Sequence, residues 1–378
     1  MPVPITTRPL SAPPQRQPRR TKPTPLTLFS AAASGGMEQS ACGASSPIPA
    51  SGLDVKPAGG LVGIARLAAS SPLVRQKCGT EYFVLPVRSI LNRCDSPRMP
   101  FRWTVNPYRG CEFGCLYCYA RYTHEYMELD GGDFERKIFV KEDAGPLMER
   151  DLATKNINDE SIAIGTATDP YQPAEREFGV TRAILERMAE REGLNFSITT
   201  KSDRIVQDLD LLRAIAERST LFVNMTVITL RPKLARQLEP RAPRPDLRLR
   251  AVERLRETGI ATGIHVMPVV PGITDGQEDL DAVACAAKSA GAQWLAVGVL
   301  FLMPASRKQF LPFVERKYPR LAPQYRAWYS RAAYPPESYR EQIASRADGL
   351  RKKYGLGTRP VVKSSGAAKH EQFSLALG

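Results

Sequence analysis

From about residue 100 the chain alternates short β-branched segments with amphipathic ones, and this alternation constrains the fold more than any other feature. Candidate strands lie at 103–106, 161–165, 195–199, 221–228, 264–267 and 294–300. Between them Thr181, Ile184, Leu185 and Met188 share one helical face. So do Ile205, Leu209, Leu212 and Ala216, then Leu249, Val252 and Leu255, then Leu280, Val283, Ala284 and Ala287. Gly193, Gly259 and Gly291 stand where helices would end, and Asp246 is a candidate N-cap. Strands alternating with helices make an α/β fold around a parallel sheet. Right-handed crossovers carry every strand C-terminus to one rim, so functional side chains are expected just after strands.

The first strand leads into Cys111-Glu112-Phe113-Gly114-Cys115-Leu116-Tyr117-Cys118, which places three of the chain's seven cysteines in a C-x3-C-x2-C pattern. Thiolate is the soft ligand that selects iron–sulfur clusters, zinc or copper(I), and three on one short loop can converge on one inorganic centre. Three is one fewer than a closed site needs, and an open position marks a centre built for chemistry. The spacing is the signature of the radical S-adenosylmethionine (radical SAM) enzymes, and the chain resembles that superfamily from this loop through the strands that follow. The longer string from Asn106-Pro107-Tyr108-Arg109-Gly110 to Cys118-Tyr119-Ala120-Arg121 resembles the branch that includes spore photoproduct lyase, which repairs a thymine dimer in DNA.

The resemblance implies a partial, open (β/α)6 TIM-type barrel, in agreement with the six strand–helix units. It implies a 4Fe-4S cluster on Cys111, Cys115 and Cys118, whose open iron chelates S-adenosylmethionine and delivers an electron that cleaves it to a 5'-deoxyadenosyl radical. A reductant protein such as flavodoxin or ferredoxin follows from that chemistry. Tyr117 would pack near the adenine. The branch places a hydrogen-donating cysteine beside the second-strand rim, whereas the segment from Gly165 to Asp169 contains none, leaving Tyr117, Tyr119 or Tyr122 to supply hydrogen. The competing reading is a zinc- or cluster-stabilised nucleic-acid-binding protein without catalysis, with Cys111, Cys115, Cys118 and His124 as a Cys3His set. Cys42, Cys78, Cys94 and Cys285 show no motif spacing, and Cys285 falls inside an apolar helical face.

Further candidates follow from position at the rim. After the second strand, Thr166, Thr168 and Asp169 resemble the superfamily's contacts to the methionine amino group, although an Asp before Pro is also a routine turn residue. After the third, Lys201 would pair with the methionine carboxylate, while Ser202 or Asp203 caps the next helix. On the fourth strand Asn224 and Thr226 are two apart and share a face, which inside a barrel points at the ligand. Thr226, or else Asn224, is the candidate for the cofactor ribose. His265 on the fifth strand is either a cofactor contact or a hydrogen-bonded core residue. The segment from Met267 to Gly272 would skirt the adenine.

Charge adds a partner class. The chain has 378 residues and carries 53 Lys and Arg against 39 Asp and Glu, a balance of +14 that suits an anionic partner, nucleic acid first. Arg231, Lys233, Arg236, Arg241, Arg244, Arg248 and Arg250 crowd the loop after the fourth strand, where they would face phosphates. The aromatics from Phe310 to Tyr339 form either a stacking surface for unpaired bases or the core of a helical cap. The expected organisation is a Pro/Ala/Ser-rich basic tail over 1–60, a lead-in over 61–100, the barrel over 101–304, the helical cap over 305–356 and a flexible end over 357–378. No apolar run approaches the roughly 20 residues of a membrane span, and the odd cysteine count fits a reducing compartment. A cytoplasmic monomer is expected.

Overall fold

The structure, a computed structural model, describes residues 60–97, 99–157 and 160–360. The expected basic tail and Cys42 therefore lie outside the described residues, as does most of the C-terminal end.

Six parallel strands form the centre: β1 (Trp103–Val105), β2 (Ile162–Ile164), β3 (Asn195–Thr200), β4 (Thr220–Thr226), β5 (Ala261–Val269) and β6 (Leu295–Val299). They lie side by side in chain order, with Leu91–Arg93 added antiparallel outside β1. β6 and Leu91–Arg93 are opposite edges of one sheet, so the barrel is open, as expected. The first five strands lead to crossover helices, α1 (Ala144–Thr154), α2 (Val180–Ala189), α3 (Leu209–Arg218), α4 (Pro245–Glu257) and α5 (Gln277–Ser289), and β6 is followed by α6 (Pro304–Lys317).

The period of two sorts the strands into two faces. Outward side chains such as Ile162, Ile198, Val223 and Ile264 join Ile184, Leu212, Val252 and Val283 of the helices in one buried core. Each such side chain contributes roughly 1.5–3 kcal/mol by leaving water. The inward face carries Ser197, Thr199, Asn224, Thr226 and His265 instead. A floor closes the lumen below. Trp294 lies under Gly263, where an added Cβ would stand 2.3 Å from the indole, so only glycine fits there. Phe222 meets the indole edge-on at 5.9 Å, and the indole N–H donates to Asn224 at 3.2 Å. From Gly357, which bridges to Trp294, the chain runs on to Arg359, whose guanidinium donates to Ser197 at 3.2 Å. The open end is thus the rim at the strand C-termini.

Several expectations are corrected. Besides Leu91–Arg93, the lead-in contains a helix (Gly63–Ala69) and two further strands, Leu73–Lys77 and Thr80–Val84, which join Lys137–Val140 and Tyr108–Arg109 in a second sheet that the sequence does not announce. Those partners come from both sides of the cysteine loop, which is therefore clamped between two sheets. Asp246 does not cap α4; Arg244 holds the N-cap position with Pro245 at the first turn, and the Asp246 carboxylate pairs with Arg244 at 2.7 Å. Helix α2 has Glu190 as its C-cap, so Gly193 lies past the helix end. Cys285 is exposed on α5 rather than facing the core. Phe310, Phe313, Tyr325 and Tyr329 are buried beside the cysteine loop, the core reading of the helical cap.

Candidate active site

Gly110 opens the cysteine loop with a left-handed φ of +85°, and an added Cβ there would stand 2.7 Å from the Lys137 carbonyl. Any other residue would push the loop off the second sheet. The Thr168 hydroxyl and the Gln172 amide donate to the Gly110 carbonyl at 2.7 and 3.2 Å, and the Glu112 N–H donates to Gln172 at 2.9 Å. The β2 loop thereby carries the cysteine loop on its side chains. Cys111 and Cys115 are buried, Cys118 is partly so, and all three are free thiols. Burial pushes each thiol up, that of Cys115 to about 12, while Lys201 pulls Cys115 and Cys118 back.

Asp169 binds two groups at the exit of β3 and one in its own loop. It accepts from the Thr200 hydroxyl at 2.6 Å, the Lys201 N–H at 2.7 Å and the Tyr171 N–H at 2.9 Å. Burial raises its carboxyl against these bonds. The side chains of Thr168 and Asp169 are therefore engaged in joining rim loops to one another. Thr166 receives the Asn106 amide at 3.0 Å, and its carbonyl accepts the Tyr119 hydroxyl.

The fixed position of Lys201 directs its side chain toward Cys115. Its ammonium lies 3.9 Å from Glu239 and 5.8 Å from the centre of the Tyr117 ring. Burial opposes its charge, but Cys115 and Glu239 outweigh that and hold it above the ordinary lysine value. Glu239 stands in the segment Glu239-Pro240-Arg241, which resembles the lyase branch, but the sequence alone gives it no role at the site. Its carboxylate accepts the Tyr117 hydroxyl and the buried guanidinium of Arg248, the latter at 2.5 Å. Arg248 also donates to the Thr226 carbonyl at 3.0 Å. Burial raises the Glu239 carboxyl, but Arg248 and Lys201 overcome it and keep it ionised. A second, compositional signal is that Glu239 is the single acid among the cations from Arg231 to Arg244.

In the lumen Thr226 and His265 are paired neighbours on β4 and β5. His265 is 4 % exposed, its Nε2 has no hydrogen-bond partner among the described residues, and burial holds it neutral with a value well below the usual range. An orphaned ring nitrogen level with Thr226 is a place for a polar ligand atom. Asn224 is lower and holds the floor, so of the two β4 candidates Thr226 is the one level with His265. At the mouth, five rings run in contact from Tyr126 through Tyr122, Tyr119 and Phe301 to Tyr334, with adjacent centres 4.4 to 6.4 Å apart. Tyr119 and Tyr126 are 40 % and 67 % exposed.

Two groupings that the sequence allows, one as the competing reading and one as an alternative to a solvated loop, do not form among the described residues. His124 packs edge-on against Phe134 and Phe139, with Nε2 2.9 Å from the Lys137 carbonyl, and is not gathered with the thiols into a Cys3His set. The basic loop is not a single phosphate-facing array. Arg248 is buried on Glu239, Arg244 and Arg250 share Asp246, and Arg231 pairs with Asp279.

Three free thiols on one loop are the donor type that an iron–sulfur cluster takes, although among the described residues their side chains are not gathered into a metal-holding group. The thiols are free and sit on one loop, and Lys201, Arg121 and Arg248 stand around them to offset thiolate charge. Comparison with known proteins agrees. The sequence pattern of the Radical SAM superfamily matches residues 105–283. Uncharacterised proteins of Mycobacterium tuberculosis and Mycobacterium bovis are 34% identical over 315 residues, covering 82% of this chain and 92% of theirs. A protein of Methanocaldococcus jannaschii is 31% identical over 174 residues, 46% of this chain and 62% of its own. Among solved structures, spore photoproduct lyase with a bound dinucleoside spore photoproduct superposes with a TM-score of 0.55 at 14% identity, over 73% of this chain and 80% of that one. A variant of that lyase with bound AdoMet and the same photoproduct gives 0.53 at 12% identity, over 71% and 77%. No helix among the described residues is long and apolar enough to cross a membrane. With the match across its strands and the thiols on their rim, the chain belongs to the radical SAM superfamily.

Proposed function

We propose that the protein binds a 4Fe-4S cluster on Cys111, Cys115 and Cys118 and cleaves S-adenosylmethionine reductively to abstract hydrogen from a substrate at the barrel mouth. When bound, the cluster and cofactor supply an electron and a carbon-centred hydrogen acceptor. The observation that carries the reading is three free thiols on one rim loop, with the Lys201 ammonium at the end of β3 standing 5.8 Å from the ring of Tyr117 in that same loop. Around that group the chain's own residues bind and orient. Lys201 supplies a cation for the methionine carboxylate, and Glu239 holds both Lys201 and Tyr117 in place. Asp169 fixes the Lys201 backbone. His265, kept neutral by burial, offers Nε2 to the nucleoside beside Thr226. The floor of Trp294 and Asn224 seals the lumen from below, which leaves the mouth as the approach for substrate.

The aromatic run from Tyr126 to Tyr334 supports a flat, π-rich substrate, and an unpaired nucleobase fits it best because every base offers a stacking face. The basic balance of the chain agrees with such a partner. Between Tyr117 and Tyr119, two of the three tyrosines that could return hydrogen, Tyr119 suits the task. Its hydroxyl lies at the mouth on the Thr166 carbonyl, whereas that of Tyr117 is buried on Glu239. Anaerobic reconstitution tests the binding half of this reading. Iron and sulfide in the ratio of one cluster, lost together in Cys115→Ala while the variant remains folded, is the expected result. Colourless protein carrying stoichiometric zinc instead would refute it.

A further inference from the structure

An open cleft of about 540 Å³ lies on the outer side of the cysteine loop. Phe113 lines it, together with Arg204, Arg236, Arg241 and Arg244, and Asp203 is the one acid in its wall. The segment Asp203–Asp208 and helix α4 both contribute to that wall, so the cleft sits outboard of the strand rim. None of the lumen residues Lys201, Thr226 and His265 lines it.

Three of its four arginines form no ion pair among the described residues. Arg236 and Arg241 hydrogen-bond only to the carbonyls of Pro240 and Glu135, and neither forms an ion pair among the described residues. Arg204 donates to the neutral Gln207 side chain at 2.8 Å. Only Arg244 is paired, with Asp246. The cleft also touches the redox loop directly. Phe113 lies two residues from Cys111 and two from Cys115, and its carbonyl accepts the Arg241 N–H at 3.2 Å.

We propose that this cleft is the docking site of a small acidic electron-carrier protein, an inference that rests on reading the cysteines as cluster ligands. One electron passes from the reduced carrier through the Phe113 segment to the cluster. The carrier is oxidised by one electron, the cluster is reduced by one, and no bond or proton moves. The two sides of the loop thereby serve different needs. Hydrogen abstraction requires the substrate to touch the cofactor in the lumen, which this cleft does not reach. An electron crosses a protein segment without contact between donor and cofactor. A nucleic acid would also be drawn to the arginines, but from here it could not present an atom to the lumen.

The test uses the full-length reconstituted protein and the charge-reversed double variant Arg236→Glu/Arg241→Glu, whose substitutions lie on exposed side chains outside the proposed catalytic groups. With dithionite as reductant, wild type and variant are expected to form 5'-deoxyadenosine at equal rates. With reduced flavodoxin, the half-saturating donor concentration should rise at least about tenfold in the variant and its salt dependence should flatten. Calorimetric titration of the cluster-free protein with oxidised flavodoxin should show the same loss of affinity. Unchanged flavodoxin affinity in the variant overturns the proposal, as does loss of binding to a single-stranded oligonucleotide with flavodoxin binding intact. Absence of cleavage with dithionite in the wild type would instead count against the cluster reading, and the titration would still decide whether the cleft binds an acidic protein.

Discussion

The Tyr117 hydroxyl donates to Glu239, which lies 122 positions later in the chain, and Arg248 holds the other oxygen of the same carboxylate at 2.5 Å. This buried bond joins the cysteine loop to the loop that leaves β4. Two backbone bonds run beside it, from Leu116 N–H to the Leu238 carbonyl at 3.0 Å and from Arg241 N–H to the Phe113 carbonyl at 3.2 Å. The proposed ligands are therefore held by a tertiary lock rather than by their own short segment.

Removing one charge from that lock should cost far more than removing both. Arg248→Met leaves Glu239 charged and buried, and a loss of about 3–5 kcal/mol is expected. The double variant Glu239→Gln/Arg248→Met should recover most of it. Chemical denaturation at pH 7 measures both, and a single variant within about 1 kcal/mol of wild type would show that the pair carries little of the loop's stability.

The lumen can be probed through the orphaned ring nitrogen. His265→Ala is expected to weaken S-adenosylmethionine binding about tenfold, the worth of one lost buried hydrogen bond, without changing the iron content. Equilibrium dialysis against the cofactor reads the first quantity and metal analysis the second. Equal affinity in both proteins would remove His265 from the cofactor site.

Much of this arrangement stands in the sequence, for reasons of range. The six strands and their helix faces are legible because burial follows a period of two or 3.6 along the chain. Cys111, Cys115 and Cys118 are legible as a group because they share one loop and a local spacing, and the place of Lys201 because it directly follows a strand end. The Glu239 lock is not, since its partner Tyr117 is separated from it by half the barrel. The second sheet is hidden too, because Tyr108–Arg109 and Lys137–Val140 are too short to show alternation. Arg248 looked like one more surface cation until the fold placed a carboxylate beside it.

The floor makes a steric prediction. Gly263→Ala forces a methyl into the Trp294 indole, where the ring cannot retreat without breaking its bond to Asn224. A loss of about 1–3 kcal/mol is expected from overpacking. Thermal unfolding of the variant checks it, and an unchanged Tm would mean that the floor yields.

Stability should also depend on pH through Glu175. Its carboxyl is buried under the Tyr108 hydroxyl at 2.5 Å, and burial raises it from 4.5 to about 7. The folded chain thus keeps a proton that the unfolded chain releases near 4.5. The contribution is fully present below that value and is lost as pH rises through about 7, a change of roughly 3 kcal/mol. Glu175→Gln should flatten the wild-type decline between these values. An identical decline in the variant would assign it to other groups.

The central claim is that the rim cysteines turn an open barrel into a reductive S-adenosylmethionine-cleaving site. Its most direct test is formation of 5'-deoxyadenosine by the anaerobically reconstituted protein with dithionite. Wild type should release it in amounts that grow with time, and Cys115→Ala, folded and soluble, should release none. Equal amounts from both proteins, or none from a wild type that carries its full cluster, would contradict the account.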